Sequence, residues 1–176
     1  MSERIEQLQQ LVKQSDNLHI DSTLLNYAGV VEYYPEELVM TVKAGTKIAD
    51  IKTQLANNNQ ALTFYAKDEK SIGAIYANGG QDLSDSVLGV QIIDGNGELL
   101  NFGGQVMKNV AGYDVARLLV GSKGKLAIIT QISFKVMPIT YVGELKKSVK
   151  SNNNSPVCQG IERRLKNVFD SKGIFK

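Results

Sequence analysis

The chain has 176 residues, 43% of them apolar and 22% charged, with a net charge of +2. That length and balance suit one ordinary globular domain and exclude a disordered, fibrous or strongly nucleic-acid-neutralising chain. A single cysteine, Cys158, and a single histidine, His19, exclude an internal disulfide and a zinc site of clustered His and Cys ligands. In chain order, residues 3–14 place Ile5, Leu8, Leu11 and Val12 on one helical face, with Ser2 as the expected N-cap. Residues 37–43 (ELVMTVK) alternate as a strand does; Ala44-Gly45 then turns the chain, and Thr46 is expected to cap a helix carrying Ile48, Ile51 and Leu55. Asn57-Asn58-Asn59 ends that helix, and residues 61–64 read as extended.

Residues 87–93 and 98–102 form two apolar runs around Asp94-Gly95-Asn96-Gly97, a sequence suited to a hairpin turn. Residues 114–120 predict a short helix, and residues 126–136 (LAIITQISFKV) a long strand ending at Pro138. A polar, Asn-rich linker over 151–156 precedes a last amphipathic helix with Ile161, Leu165, Val168 and Phe169 on its apolar face. Strands and helices interleave without strict alternation, so an α+β fold is expected. Residues 141–176 hold eight basic and three acidic side chains, which reads as a solvated face or, alternatively, as a surface for a negatively charged partner. The acidic start of the chain and the lack of any long apolar run predict a cytoplasmic protein with no direct membrane insertion.

Many of the sixteen glycines fall within residues 71–80, 103–104 and 121–124. Each cluster by itself reads as a turn; three such clusters between strands also suit close backbone approach to a nucleotide phosphate. Gly121-Ser122-Lys123-Gly124-Lys125 is not a Walker A loop, because Leu119 and Leu126 stand where a glycine and a hydroxyl are needed. No GxGxxG opens a helix, so a Rossmann site has no support. Lys108, Tyr113 and Asp114 could serve as acid/base groups, but residues of this kind in a turn more often tie loop backbone together. Asp82 and Asp85 read as solvated turn residues, and Cys158 as a small packed side chain.

Residues 103–118 (GGQVMKNVAGYDVARL) resemble the FAD-binding E subunit of glycolate oxidase, within the PCMH-type flavoprotein superfamily that includes vanillyl-alcohol oxidase and D-lactate dehydrogenases. Val87-Leu88-Gly89-Val90, the hairpin, residues 121–130, Val136-Met137-Pro138, Tyr34-Pro35-Glu36-Glu37-Leu38-Val39 and Ala44-Gly45-Thr46 match in order, as do residues 163–175 near the end. The resemblance implies a mixed sheet with flanking helices and FAD as cofactor. It implies pyrophosphate contacts from Ser71, Ile72, Gly73 and Ala74, loop contacts from Asn78 and Gly79, and contacts to the adenosine half from Gly121, Ser122, Gly124, Ile128 and Ile129. Lys125 would add charge compensation.

The departures from the family are specific. Residues 18–34 contain only Gly29 where the family carries a glycine-rich phosphate loop; Ala74 stands for a usual glycine; and Lys123, Lys125 and Ala127 replace the family's Glu, Thr and Gly. The substrate-cap domain is reduced to residues 139–157, which divides the chain into a FAD-binding part (1–138), a linker in place of the cap (139–157) and a C-terminal helix and tail (158–176). The resemblance therefore implies a reduced FAD-binding subunit of a 2-hydroxy-acid oxidoreductase that depends on flavoprotein and iron–sulfur partners and is peripheral to the inner membrane through them. It identifies no catalytic residue. The other reading is a flavin-free scaffold that keeps the fold.

Overall fold

A computed structural model describes residues 3–20, 26–79, 81–105, 114–145 and 156–176. In chain order the elements are α1 (Glu3–Gln14), β1 (Val30–Tyr34), β2 (Val39–Lys43), α2 (Ile48–Ala56), β3 (Gln60–Leu62), α3 (Ile72–Asn78), α4 (Gln81–Ser86), β4 (Val87–Ile93), β5 (Leu99–Gly103), α5 (Val115–Leu118), β6 (Ile128–Pro138) and α6 (Pro156–Phe169). Short 3-10 turns lie at Pro35–Glu37 and Ile139–Tyr141.

β6 is the spine of an antiparallel sheet ordered β1-β2-β6-β4-β5, and its far end also pairs with β3. Its alternating sequence explains the role: Ile132, Phe134 and Val136 are buried, while Gln131, Ser133 and Lys135 point to the other face. Met40 lies opposite Phe134, and Val42 opposite Ile132. Ile48, Ile51 and Leu55 of α2 and Ile72 and Tyr76 of α3 cover this face, and Phe64 stands edge-on to Phe134 at 5.9 Å.

A register shift between Gln91 and Ile92 sets Ile92 opposite Ile129 and leaves Thr130 as the extra residue of a bulge. Thr130 is buried; its hydroxyl lies 3.0 Å from the Gln91 carbonyl, and its own carbonyl accepts the Ala44 N–H at 2.8 Å. Beyond the bulge the two isoleucine doublets split between faces. Ile92 and Ile129 join the main core, whereas Ile93 and Ile128 meet Leu8 and Val12 of α1 and Ile174 and Phe175 of the C-terminal tail. A second, smaller core thus ties both ends of the chain to the sheet.

The hairpin turn is clamped between the terminal helices. Asp94 Oδ1 accepts the N–H groups of Asn96 and Glu98 at 2.9 and 2.8 Å. Gln9 Nε2 donates to Gly97 O at 2.8 Å, and Gly95 N donates to Phe169 O at 2.7 Å.

Several local expectations change. Thr46 does not cap α2; Lys47 occupies that position without a side-chain bond. The Thr46 hydroxyl instead lies 2.6 Å from Lys43 O and accepts the Gly29 N–H at 2.9 Å, because this turn must anchor the segment before β1. The strand expected from residue 37 starts at Val39, since Pro35 opens a 3-10 turn and Leu38 takes φ 57°. Asp82 and Asp85 lie in α4 rather than in a turn. Leu11 is only half-buried. On α6, Phe169 is buried against Phe102, but Ile161 and Val168 are exposed (48% and 69%). Ser2, residues 151–155, Lys108, Tyr113 and the Cys158 side chain lie outside the described residues.

Candidate functional site

Two backbone turns meet beside the bulge of β6. The first follows β2 at Ala44-Gly45-Thr46; the second is the N-terminus of α3, where Ser71 is the N-cap and its Oγ accepts the Ala74 N–H at 3.3 Å. Ile72 N donates to Thr46 O at 2.9 Å and Gly73 N to Ala44 O at 2.8 Å. The two turns are therefore sewn together by the same amides that sequence reasoning offered to a pyrophosphate. Gly73 is required by this seam, because a Cβ there would stand 2.8 Å from Ala44 O and 2.9 Å from Ala44 Cβ.

The loop 121–124 docks on the other end of α3. Gly121 N donates to Tyr76 O at 2.9 Å and Lys123 N to Ala77 O at 2.8 Å. Gly79, at φ +71°, crosses Gly121 so closely that an added Cβ would lie 2.7 Å from Gly121 Cα. Lys123 itself takes φ 54°, a left-handed conformation that costs a lysine about 1–2 kcal/mol. Below the loop, Tyr76 donates its hydroxyl to Ala116 O, and burial together with nearby Asp114 raises its pKa far above the ordinary 10.0. Asp114 caps α5 through the Arg117 N–H at 3.1 Å, the backbone-tying role expected of it.

Between α3, the end of β2 and residues 123–129 lies a cavity of about 200 Å³, lined by His19, Ile20, Ala44, Ser71, Gly73, Ala74, Ala77, Lys123, Gly124, Ala127, Ile129 and Lys176. Alanine and glycine make up half of these residues, and Lys123 and Lys176 are among the others. On the opposite side of the loop a larger cavity of about 610 Å³ is bounded by residues 121–126 and 159–173.

Of the residues singled out in the sequence, Ser71, Gly73, Ala74, Gly124 and Ile129 converge on the smaller cavity. Gly121, Ser122 and Lys125 face the larger one. Ile72 and Ile128 are buried in the two cores, Asn78 is exposed with its amide on Ala74 O at 2.8 Å, and Gly79 packs on Gly121. Sequence reasoning missed His19, Ile20, Ala44, Ala77, Lys123, Ala127 and Lys176 as lining residues. Lys123 alone left a signal, as a charged residue within a glycine-rich turn.

The sequence matches the model of the FAD binding domain family over residues 6–103. The chain belongs to this family. Its cofactor is FAD, and the described residues fit one part of it: the alanines and glycines of the lining take up little of the space, and Lys123 and Lys176 can offset phosphate charge. At about 200 Å³ the cavity is smaller than the ~300–1,000 Å³ typical of ligand clefts, so it suits a phosphate-and-ribose portion rather than the whole dinucleotide. The chain is 42% identical over 123 residues to glycolate oxidase subunit GlcE of Escherichia coli (strain K12), a match covering 64% of this chain and 35% of that protein. It is 33% identical over 122 residues to glycolate oxidase subunit GlcD of Bacillus subtilis (strain 168), covering 62% and 25%. The aligned part therefore spans about a third or less of these relatives. Alkyldihydroxyacetonephosphate synthase shares the fold with a TM-score of 0.53 at 19% identity, over 64% of this chain and 21% of that one. The α+β, PCMH-type FAD-binding fold expected from the sequence is the one observed.

Proposed function

We propose that this chain is the FAD-binding part of a glycolate-oxidase-like 2-hydroxy-acid oxidoreductase, with partner subunits completing the active site. The observation that carries the reading is the small-walled, lysine-bearing cavity between α3 and residues 123–129. When bound, FAD would supply the capacity to accept a hydride. The protein's share is positional. Ser71, Gly73, Ala74 and Ala77 form one wall, Gly124, Ala127 and Ile129 the other, and Lys123 and Lys176 meet the phosphates. Substrate positioning and exclusion of water would come from flavoprotein and iron–sulfur partners, since only residues 139–155 separate β6 from α6, where a cap would insert. Among the described residues no helix is long and apolar enough to cross a membrane.

The test is a visible spectrum of the purified protein followed by titration with FAD, in the wild type and in Lys123→Gly. This variant removes a charge and relieves the left-handed strain, so its stability should stay within about 1 kcal/mol of wild type while FAD affinity falls roughly tenfold. Wild-type uptake that is unchanged in the variant would remove Lys123 from the site. Absence of any uptake would favour the second reading, a flavin-free scaffold. The internal engagement of the Ile72 and Gly73 amides is the observation on its side.

A further inference from the structure

The larger cavity, of about 610 Å³, lies between the loop before β6 and the last turns of the chain and shares only Lys123 with the smaller one. Five cations line it: Lys123 and Lys125 from the loop, Arg163 and Lys166 from α6, and Lys172 from the turn beyond. Two carboxylates oppose them, Glu162 and Asp170. Asp170 is already committed, accepting the Ile174 and Phe175 N–H groups at 2.8 and 3.0 Å and lying 3.6 Å from Lys166 Nζ. Among the described residues Lys123, Lys125, Arg163 and Lys172 form no ion pair. Four exposed, unpaired cations from three segments line one concavity and give it a positive potential that attracts anions.

Gln159 and Asn167 add neutral polar side chains to the lining.

We propose that this cavity is a second, separate anion site, for a small polyphosphate-bearing metabolite. Its volume falls within the ~300–1,000 Å³ of ligand clefts. The excess of charge calls for a ligand of at least two negative charges, and the planar fork of Arg163 with the lysine ammoniums suits phosphate oxygens. The site does not depend on the reading of the smaller cavity.

Inorganic pyrophosphate is the probe, followed by isothermal titration calorimetry on the full chain at low ionic strength. Wild type should bind saturably and more weakly as salt rises. Arg163→Gln with Lys172→Gln should weaken binding roughly tenfold or more. Both side chains are exposed and unpaired among the described residues, so the thermal midpoint and any FAD uptake should stay at wild-type values. Ala77→Phe, which fills the smaller cavity, should leave pyrophosphate affinity unchanged. Lack of saturable binding in the wild type, equal affinity in the double variant, or loss of binding in Ala77→Phe would each overturn the proposal.

Discussion

Tyr76 shows how one side chain can hold several segments. It lies in the main core, its hydroxyl donates to Ala116 O, and its own carbonyl accepts Gly121 N. Tyr76→Phe leaves the Ala116 carbonyl short of a donor and should cost about 1–2 kcal/mol at neutral pH, read from urea midpoints. Because burial raises the Tyr76 pKa, the folded state keeps its proton after the unfolded chain begins to lose it near the ordinary value of 10.0. The wild type therefore loses this contribution as pH rises above 10, and the stability gap to Tyr76→Phe should narrow between about pH 9 and pH 11. A gap that stayed constant would contradict the assignment. At the same scale Gly73 is a warning: its Cβ position is occupied by Ala44, so substitutions there report on the seam between turns before they report on a ligand.

At the scale of elements, α6 is fastened by its end more than by its apolar face. Ile161 and Val168 carry the periodicity that predicts burial, yet both are exposed, while Phe169 and the tail beyond it are buried. Asp170 accounts for this arrangement by accepting two tail amides, and Lys166 closes the loop by donating to Phe175 O at 2.7 Å. Asp170→Ala should destabilise the protein by about 1–3 kcal/mol in chemical denaturation, with the m-value unchanged. α2 and the hairpin show the opposite case. Their apolar spacing and turn residues were sufficient to read them, because α2 meets the sheet along one face and the Asp94 carboxylate builds its turn from residues only two and four positions away. By contrast α3 escaped sequence reading: its glycine and alanines serve contacts with Ala44 and the 121–124 loop, which lie far away in the chain.

At the scale of the whole molecule, the two chain ends close one face together. Leu18 N donates to Ile174 O at 2.8 Å, and Leu8, Val12, Ile174 and Phe175 share a core with Ile93 and Ile128. Phe175→Ala should lower stability by about 3–5 kcal/mol. In native-state hydrogen exchange it should lower the protection of α1 together with that of the tail, since both cover the same isoleucines. Unchanged α1 protection would show that the helix is held independently. This closure also brings His19, Ile20 and Lys176 to the smaller cavity, so the candidate site includes residues from both ends.

The sequence by itself determined the β6 spine, the hairpin, α2 and the family, because alternation, turn chemistry and a long motif are each written in neighbouring residues. Tertiary structure alone decided which amides are free and which cavity each glycine-rich residue faces. The Ile72 and Gly73 N–H groups are taken up by carbonyls from another turn, and one loop, bent through the left-handed Lys123, turns Gly124 to the small cavity and Ser122 and Lys125 to the large one. Hydrogen-bond competition and loop direction depend on groups distant in the chain, so no local pattern of residues encodes them.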